Sequence, residues 1–219
     1  MTQRISNVQH PAGRKRSSDA LYIYIGRPDS ALPLARKLLV VDPISFFSTG
    51  WANGAVNYYA GDFGGAAEAW QRSHDMDPDN ALGRFYLSLA IAADGRVDDA
   101  LAVLDPIDRS ESGNAAVKLG IMFGCALRGE RDQLHRELTP ELQQTVMRDL
   151  EWSWYLVDMF ALVDDNDEAL MWLENSTSRG VCNYLMLSQQ DPFLDNIRSD
   201  ERFKELMVRV KKEWEEFEV

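Results

Sequence analysis

Gly26, Gly61, Gly95 and Gly129 follow one another at intervals of 35, 34 and 34 residues, and their neighbours return at nearly the same offsets. A chain with such a period is built from repeats. The stretch Gly61-Asp62-Phe63-Gly64-Gly65-Ala66-Ala67-Glu68-Ala69-Trp70, continuing to Met76-Asp77-Pro78, parallels Gly95-Arg96-Val97-Asp98-Asp99-Ala100-Leu101-Ala102-Val103-Leu104. In both, an alanine stands five residues after the glycine and a large apolar residue four further on. That order of small and large residues within about 34 positions describes two helices joined by a tight turn, with successive units stacked side by side. Hydrophobic residues make up 45% of the 219-residue chain, enough to give such a stack a continuous core.

Residues 1–18 carry Arg4, Arg14, Lys15 and Arg16, no acid, and the interruptions Pro11 and Gly13, so they are expected to be a disordered basic tail. The repeat array is expected over 19–198. It opens on half a unit, Leu21-Tyr22-Ile23-Tyr24-Ile25 before Gly26, which reads as the start of a fragment of something longer. A helix is expected from about Asp29 to Val41, closed by Asp42-Pro43 because proline cannot continue a helix interior. In the best-formed unit, 47–78, Trp51, Ala55 and Tyr58 lie on the first helix, and Ala66, Ala69, Trp70 and Ser73 on one face of the second. The alanines let two helix backbones approach, and Trp70 fills the space beside them.

The unit from Asn80 to about Ile107 repeats this with Phe85, Leu89, Ala100 and Leu104. The third unit is irregular: Leu134 takes the alanine place, and Thr139-Pro140-Glu141 reads as a new helix start, which predicts an extra or displaced helix through Gln143 to Asp149. A fourth places Trp154, Val157 and Phe160 on its first helix, turns at Asp164-Asp165-Asn166 and continues with Ala169-x-x-x-Leu173 to Arg179-Gly180. In residues 199–219, Phe203, Leu206, Met207, Val210, Trp214 and Phe217 share one face of a terminal helix, expected to cap the exposed flank of the last unit.

With Trp51, Gly54, Tyr58, Ala66-x-x-x-Trp70 and Pro78 in place, the chain resembles the tetratricopeptide repeat (TPR) family over about residues 20–180. Asn183-Tyr184, Asp191-Pro192-Phe193-Leu194 and Trp214-Glu215-Glu216-Phe217 extend the resemblance to the C-terminal TPR regions of bacterial kinases, nucleotide cyclases and DNA-binding regulators. The resemblance implies an all-α, right-handed solenoid of helix-turn-helix repeats closed by a C-terminal capping helix. It also implies that the first helices line a concave groove for a protein or peptide partner. The candidate partner-binding residues are Trp51, Tyr58, Arg84, Phe85, Lys118 and Trp154. For Trp51, Phe85 and Trp154, and equally for Tyr58, a second reading stays open, since a shift of one residue rotates a helical side chain by about 100° and turns it to the core.

The net charge is −12; residues 1–18 contribute +4, so residues 19–219 sum to −16. An acidic body lacks the basic footprint of a general nucleic-acid binder. Trp51, Phe85 and Leu119 stand where the cationic carboxylate clamp of chaperone-binding TPR proteins would need lysine, arginine or asparagine. Neither cysteine, Cys125 or Cys182, is in a CxxC pair, and the chain has no apolar run of membrane-spanning length and no secretory leader. No GxxxxGK[ST], GxSxG or HExxH motif occurs, and His10, His74 and His135 fall in different units. Asp75-Met76-Asp77-Pro78-Asp79 begins like a calcium loop but continues with Asn80 and Tyr86 where glycine and the closing glutamate are needed.

The expectation is therefore a cytoplasmic, non-enzymatic interaction module, monomeric or weakly dimeric, with no metal or cofactor and with neither nucleic acid nor membrane as partner. The alternative is an intramolecular regulatory region of a larger bacterial signalling protein.

Overall fold

The turns come first, because one backbone conformation joins the two helices of each pair. In a computed structural model of the protein, which describes residues 22–42, 50, 52–111 and 113–217, Gly26, Gly61, Gly95 and Gly129 have φ of 66°, 82°, 85° and 71°. Glycine enters this left-handed region without the Cβ penalty. A fifth residue joins the series 35 positions on: Asp164, at φ 57°, the sole non-glycine with positive φ among the described residues. Around each, two amides turn back onto the preceding helix. Gly61 and Asp62 N–H donate to Tyr58 and Asn57 O at 2.9 Å each, and Asp164 and Asp165 N–H to Ala161 and Phe160 O at 3.1 and 2.9 Å. This is the helix-ending arrangement that satisfies carbonyls left over at a C-terminus.

Helices fill the intervals, and no strand occurs among the described residues. After a helical turn at Tyr22–Tyr24, α1 runs over Pro28–Val41, α2 over Asn53–Tyr59, α3 over Phe63–Met76, α4 over Ala81–Ala93 and α5 over Val97–Leu104. The third unit holds α6, Ala115–Leu127, and α7, Arg131–Glu137, followed by the added helix α8, Pro140–Val146. That helix starts where Thr139-Pro140-Glu141 predicts, the Thr139 hydroxyl capping Leu142 N–H and Pro140 presetting the first turn, but it ends at Val146 and not at Asp149. Then come α9, Leu150–Leu162, α10, Asn166–Ser178, and α11, Glu201–Glu215, capped by Asp200. Asp62, Asn80 and Asn114 cap α3, α4 and α6 through the amides of Gly65, Gly83 and Ala116.

Equivalent positions in the second helices do equivalent work. Ala66, Ala100, Leu134 and Ala169 are all fully buried. In the first complete unit the fit is tight enough that a methyl group on Gly54 would come within 2.1 Å of the Trp70 indole nitrogen. Trp70 is fixed from the other side by stacking on Tyr86, with centroids 5.2 Å apart.

The packing departs from a nearest-neighbour array. In an open solenoid each unit touches mainly the next. Here α9 reaches back three units with Trp154 against Tyr59 of α2, and two units with Tyr155 against Phe85 of α4, each at 4.9 Å between centroids. The ends of the described chain also meet. Cys182 N–H donates to Tyr24 O at 2.9 Å, and Arg27 both donates to Trp214 O at 2.9 Å and lies 4.7 Å over the Trp214 ring. On α11, Phe203, Met207 and Val210 are buried, while Arg202 and Arg209 reach Asp167 and Glu174 of α10 at 2.7 and 2.8 Å.

Candidate functional site

Faces of α2, α6 and α9 are covered by residues 181–198 of the same chain. This stretch has no counterpart in the repeats. It runs through a single π-helical turn, Met186–Gln190, and a short 3-10 turn, Pro192–Leu194. Met186, Leu187, Leu194 and Ile197 are fully buried, and Phe193 meets Phe123 of α6 edge-on at 5.7 Å.

Polar contacts fix the register of this stretch. The Asn183 amide donates to Ile23 O at 3.2 Å and Tyr59 O at 3.0 Å, while its oxygen accepts from Met186 N–H at 3.3 Å. Asn196 donates to Ala161 O at 3.1 Å, at the end of α9. A covering segment held by side-chain to backbone bonds and a few apolar anchors is bound in the manner of a peptide ligand.

At the centre of the contact lie two carboxyls, Asp158 of α9 and Asp191 of the segment, with exposures of 1% and 0%. Asp191 is well supplied with donors: Phe193 N–H at 3.1 Å and the Trp154 indole at 3.3 Å. Neither oxygen of Asp158 meets a donor from the protein, and the nearby Tyr58 hydroxyl is also buried without a partner. Burial pushes both carboxyls up, Asp191 to about 6 and Asp158 well above the usual range; the charge and hydrogen bonding of Asp191 raise Asp158 further, while the hydrogen bond with Asp158 holds Asp191 down. Burial, and then the two carboxylates, likewise raise the Tyr58 phenol. A second enclosed group lies beside the first, where the Tyr155 hydroxyl donates to Glu151 at 2.8 Å and lies 3.5 Å from the Tyr59 hydroxyl.

The expectation that six residues form an open line of anchors needs correcting at five of them; Trp51 lies outside the described residues. Tyr58, Phe85 and Trp154 are core residues with at most 1% exposure, which is the core-facing setting of the helix. Arg84 and Lys118 are equivalent positions with an equivalent internal task. Each reaches 19 residues along the chain to the end of the second helix of its own unit, Arg84 to Val103 O at 3.1 Å and Lys118 to the Glu137 carboxylate. A cation there neutralises the negative end of that helix. The structure thus brings Tyr58 and Trp154 together around Asp158 and Asp191, and leaves Arg84 and Lys118 apart from them.

Sequence reasoning missed the covering segment, although a signal was present. Residues 85–93 are buried without exception, as are 150–161 apart from Trp152. A helix apolar on every side is covered on every side. Asp158, set in Tyr155-Leu156-Val157-Asp158-Met159-Phe160, is the polar exception that marks the centre of the contact. Also missed was the cluster in which Asp165 accepts from Arg131 at 3.0 Å and lies 2.7 Å from His135 Nε2, linking the third unit to the fourth.

Among the described residues no cluster of three histidine, cysteine, aspartate or glutamate side chains could hold a metal ion, and no helix is long and apolar enough to cross a membrane. The chain matches no protein-family model and no curated protein.

Proposed function

We propose that the protein is a TPR-like interaction module whose helix pairs curl around their own C-terminal segment, and that its partner presents a short segment competing with residues 183–197 for the inner face. The observation that carries this reading is the way residues 183–197 are held. Buried anchors at Phe193 and Leu194 and amide contacts from Asn183 and Asn196 are the features by which a helical groove takes a peptide. The face is rich in aromatic rings, the residue type that concentrates binding energy in interfaces. No enzymatic step is part of the proposal, since both buried carboxyls are closed off from any substrate in this arrangement.

The same contact favours a second reading, in which the protein is a regulatory region and the competing segment belongs to a neighbouring domain of the same polypeptide. Site-specific photo-crosslinking in the native cell tests both. A photoreactive residue at Gln190, which is exposed and lies over Gly61, is expected to give an adduct that an equivalent residue at Gln71 on the outer side of α3 does not. Adducts to a separate protein support the first reading, and adducts to a domain of the same polypeptide outside these helices, not to the neighbourhood of Gly61, support the second. Adducts from Gln71 alone would move binding to the outer face and remove the case for competition.

A further inference from the structure

We propose that residues 183–198 are a pH-released occupant of the inner face, latched by one proton that Asp158 of α9 donates to Asp191 of the segment. The geometry requires that arrangement. Asp191 already accepts from two N–H groups, and the Arg198 guanidinium bonds to its main-chain carbonyl, so Asp191 is supplied as a carboxylate. Asp158, one helical turn from Trp154 on α9, is enclosed with both oxygens unmet by any donor and lies within hydrogen-bonding reach of Asp191. A buried polar group finds a partner, and the way open to Asp158 is to keep its proton and give it to Asp191.

The groups facing the pair from each packed element leave little to replace that proton. From α2 comes the Tyr58 phenol, from α9 the Trp154 indole, and from α6 the apolar Phe123 against Phe193. The segment supplies one cation, Arg198. Loss of the proton leaves two carboxylates in an enclosed, largely apolar contact, and separation relieves the repulsion. α9 is packed on nearly every side, whereas residues 183–198 are two short turns outside the repeats, so the segment is the part that moves.

In water both carboxyls return to values near 4. Opening therefore releases a proton, and the open fraction rises about tenfold per pH unit above that value for as long as the closed pair retains its proton. Burial, the largest cause of the raised carboxyl values, extends that window upward from the usual carboxylate range.

The full-length chain carries its own reporter. Cys182 adjoins the segment, is 3% exposed, and burial pushes its thiol up to about 12, so it stays unreactive until the segment leaves. Cys125, also fully buried, lies beside Glu130 and Glu137 in the third unit and reports global unfolding. Labelling by a soluble disulfide reagent is followed by mass spectrometry at pH 5 to 8, each rate divided by that of the same cysteine in urea-unfolded protein at the same pH. The expected result is Cys182 labelling faster than Cys125 at pH 7, a normalised Cys182 rate that rises up to about a hundredfold from pH 5 to 7, and a flat profile in Asp158→Asn, whose amide donates without titrating. Equal normalised rates at the two cysteines, or a flat profile in the parent protein, would overturn the proposal, and both are read without any variant. A rise unchanged in a folded Asp158→Asn variant would overturn the role of this pair. None of these readouts uses a partner, so their failure leaves the interaction reading standing.

Discussion

Asn183→Ala isolates the closure of the molecule at one side chain. The native amide donates to Ile23 O and Tyr59 O and accepts from Met186 N–H, joining the first described helical turn, the end of α2 and the C-terminal segment at a site 2% exposed. Ile23 O keeps a second bond, from Gly26 N–H at 3.1 Å. Tyr59 O and Met186 N–H lose theirs inside the protein. Three bonds at about 1 kcal/mol net each, with two groups left buried and unpaired, give a loss of about 3–4 kcal/mol. For a chain of this size that lowers the melting temperature by about 6–12 °C. Urea titration and thermal melts followed by circular dichroism at 222 nm measure it. A midpoint within 1–2 °C of the parent, roughly the size of a neutral surface change, would show that these contacts do not hold the ends together and that the closed arrangement is wrong.

Gly54→Ala forces its methyl group into the Trp70 indole, which stacking on Tyr86 keeps from yielding, so a loss of about 2–3 kcal/mol is expected in the same urea titration. Ala100→Arg places a charge and a long side chain at a fully buried helix contact and is expected to cost several kcal/mol; a melting curve like the parent's would put the repeat register in error. Asp164→Gly works the other way, since glycine takes φ 57° without strain, and differential scanning calorimetry should show a gain of about 0.5–1 kcal/mol. For Asp158→Asn the sign follows from the raised carboxyl values: the native pair holds protons that the unfolded chain has lost, so the parent loses stability as pH rises from about 4 upward, at about 1.4 kcal/mol per pH unit for one proton. The variant is expected to equal or exceed the parent at pH 8 in urea unfolding, and a parent that keeps the same lead over the variant from pH 5 to pH 8 would contradict the shared proton.

The local rules of this fold were written in single residues. Glycines at the period mark turns, the alanine five places on marks the close contact, and Thr139-Pro140 marks the added helix, because each of these choices is decided within one helical turn. The fifth turn was legible too, in Asp164-Asp165-Asn166, because aspartate is among the few residues that tolerate the left-handed conformation. What was not legible depends on distance along the chain. Nothing near Asp158 indicates that Asp191 will face it, and nothing near Tyr59 indicates Asn183, 124 residues later. The assignment of Arg84 and Lys118 to a groove failed for a related reason, since the helix end that each one reaches is settled by the tilt between paired helices, which the period does not encode.

The covering segment also orders events during synthesis. The aromatic wall on α2, α6 and α9 is complete once Leu162 has been made, but the residues that shield it are made up to 35 positions later, ending at Ile197. At about 5–20 residues per second the nascent chain carries that wall uncovered for about 2–7 seconds. During that interval the face is a sticky surface in a crowded setting, open to chaperones, to other nascent copies and to any segment able to arrive before the chain's own. Whichever partner is present at the ribosome therefore meets no competitor, and only a later arrival has an incumbent to displace.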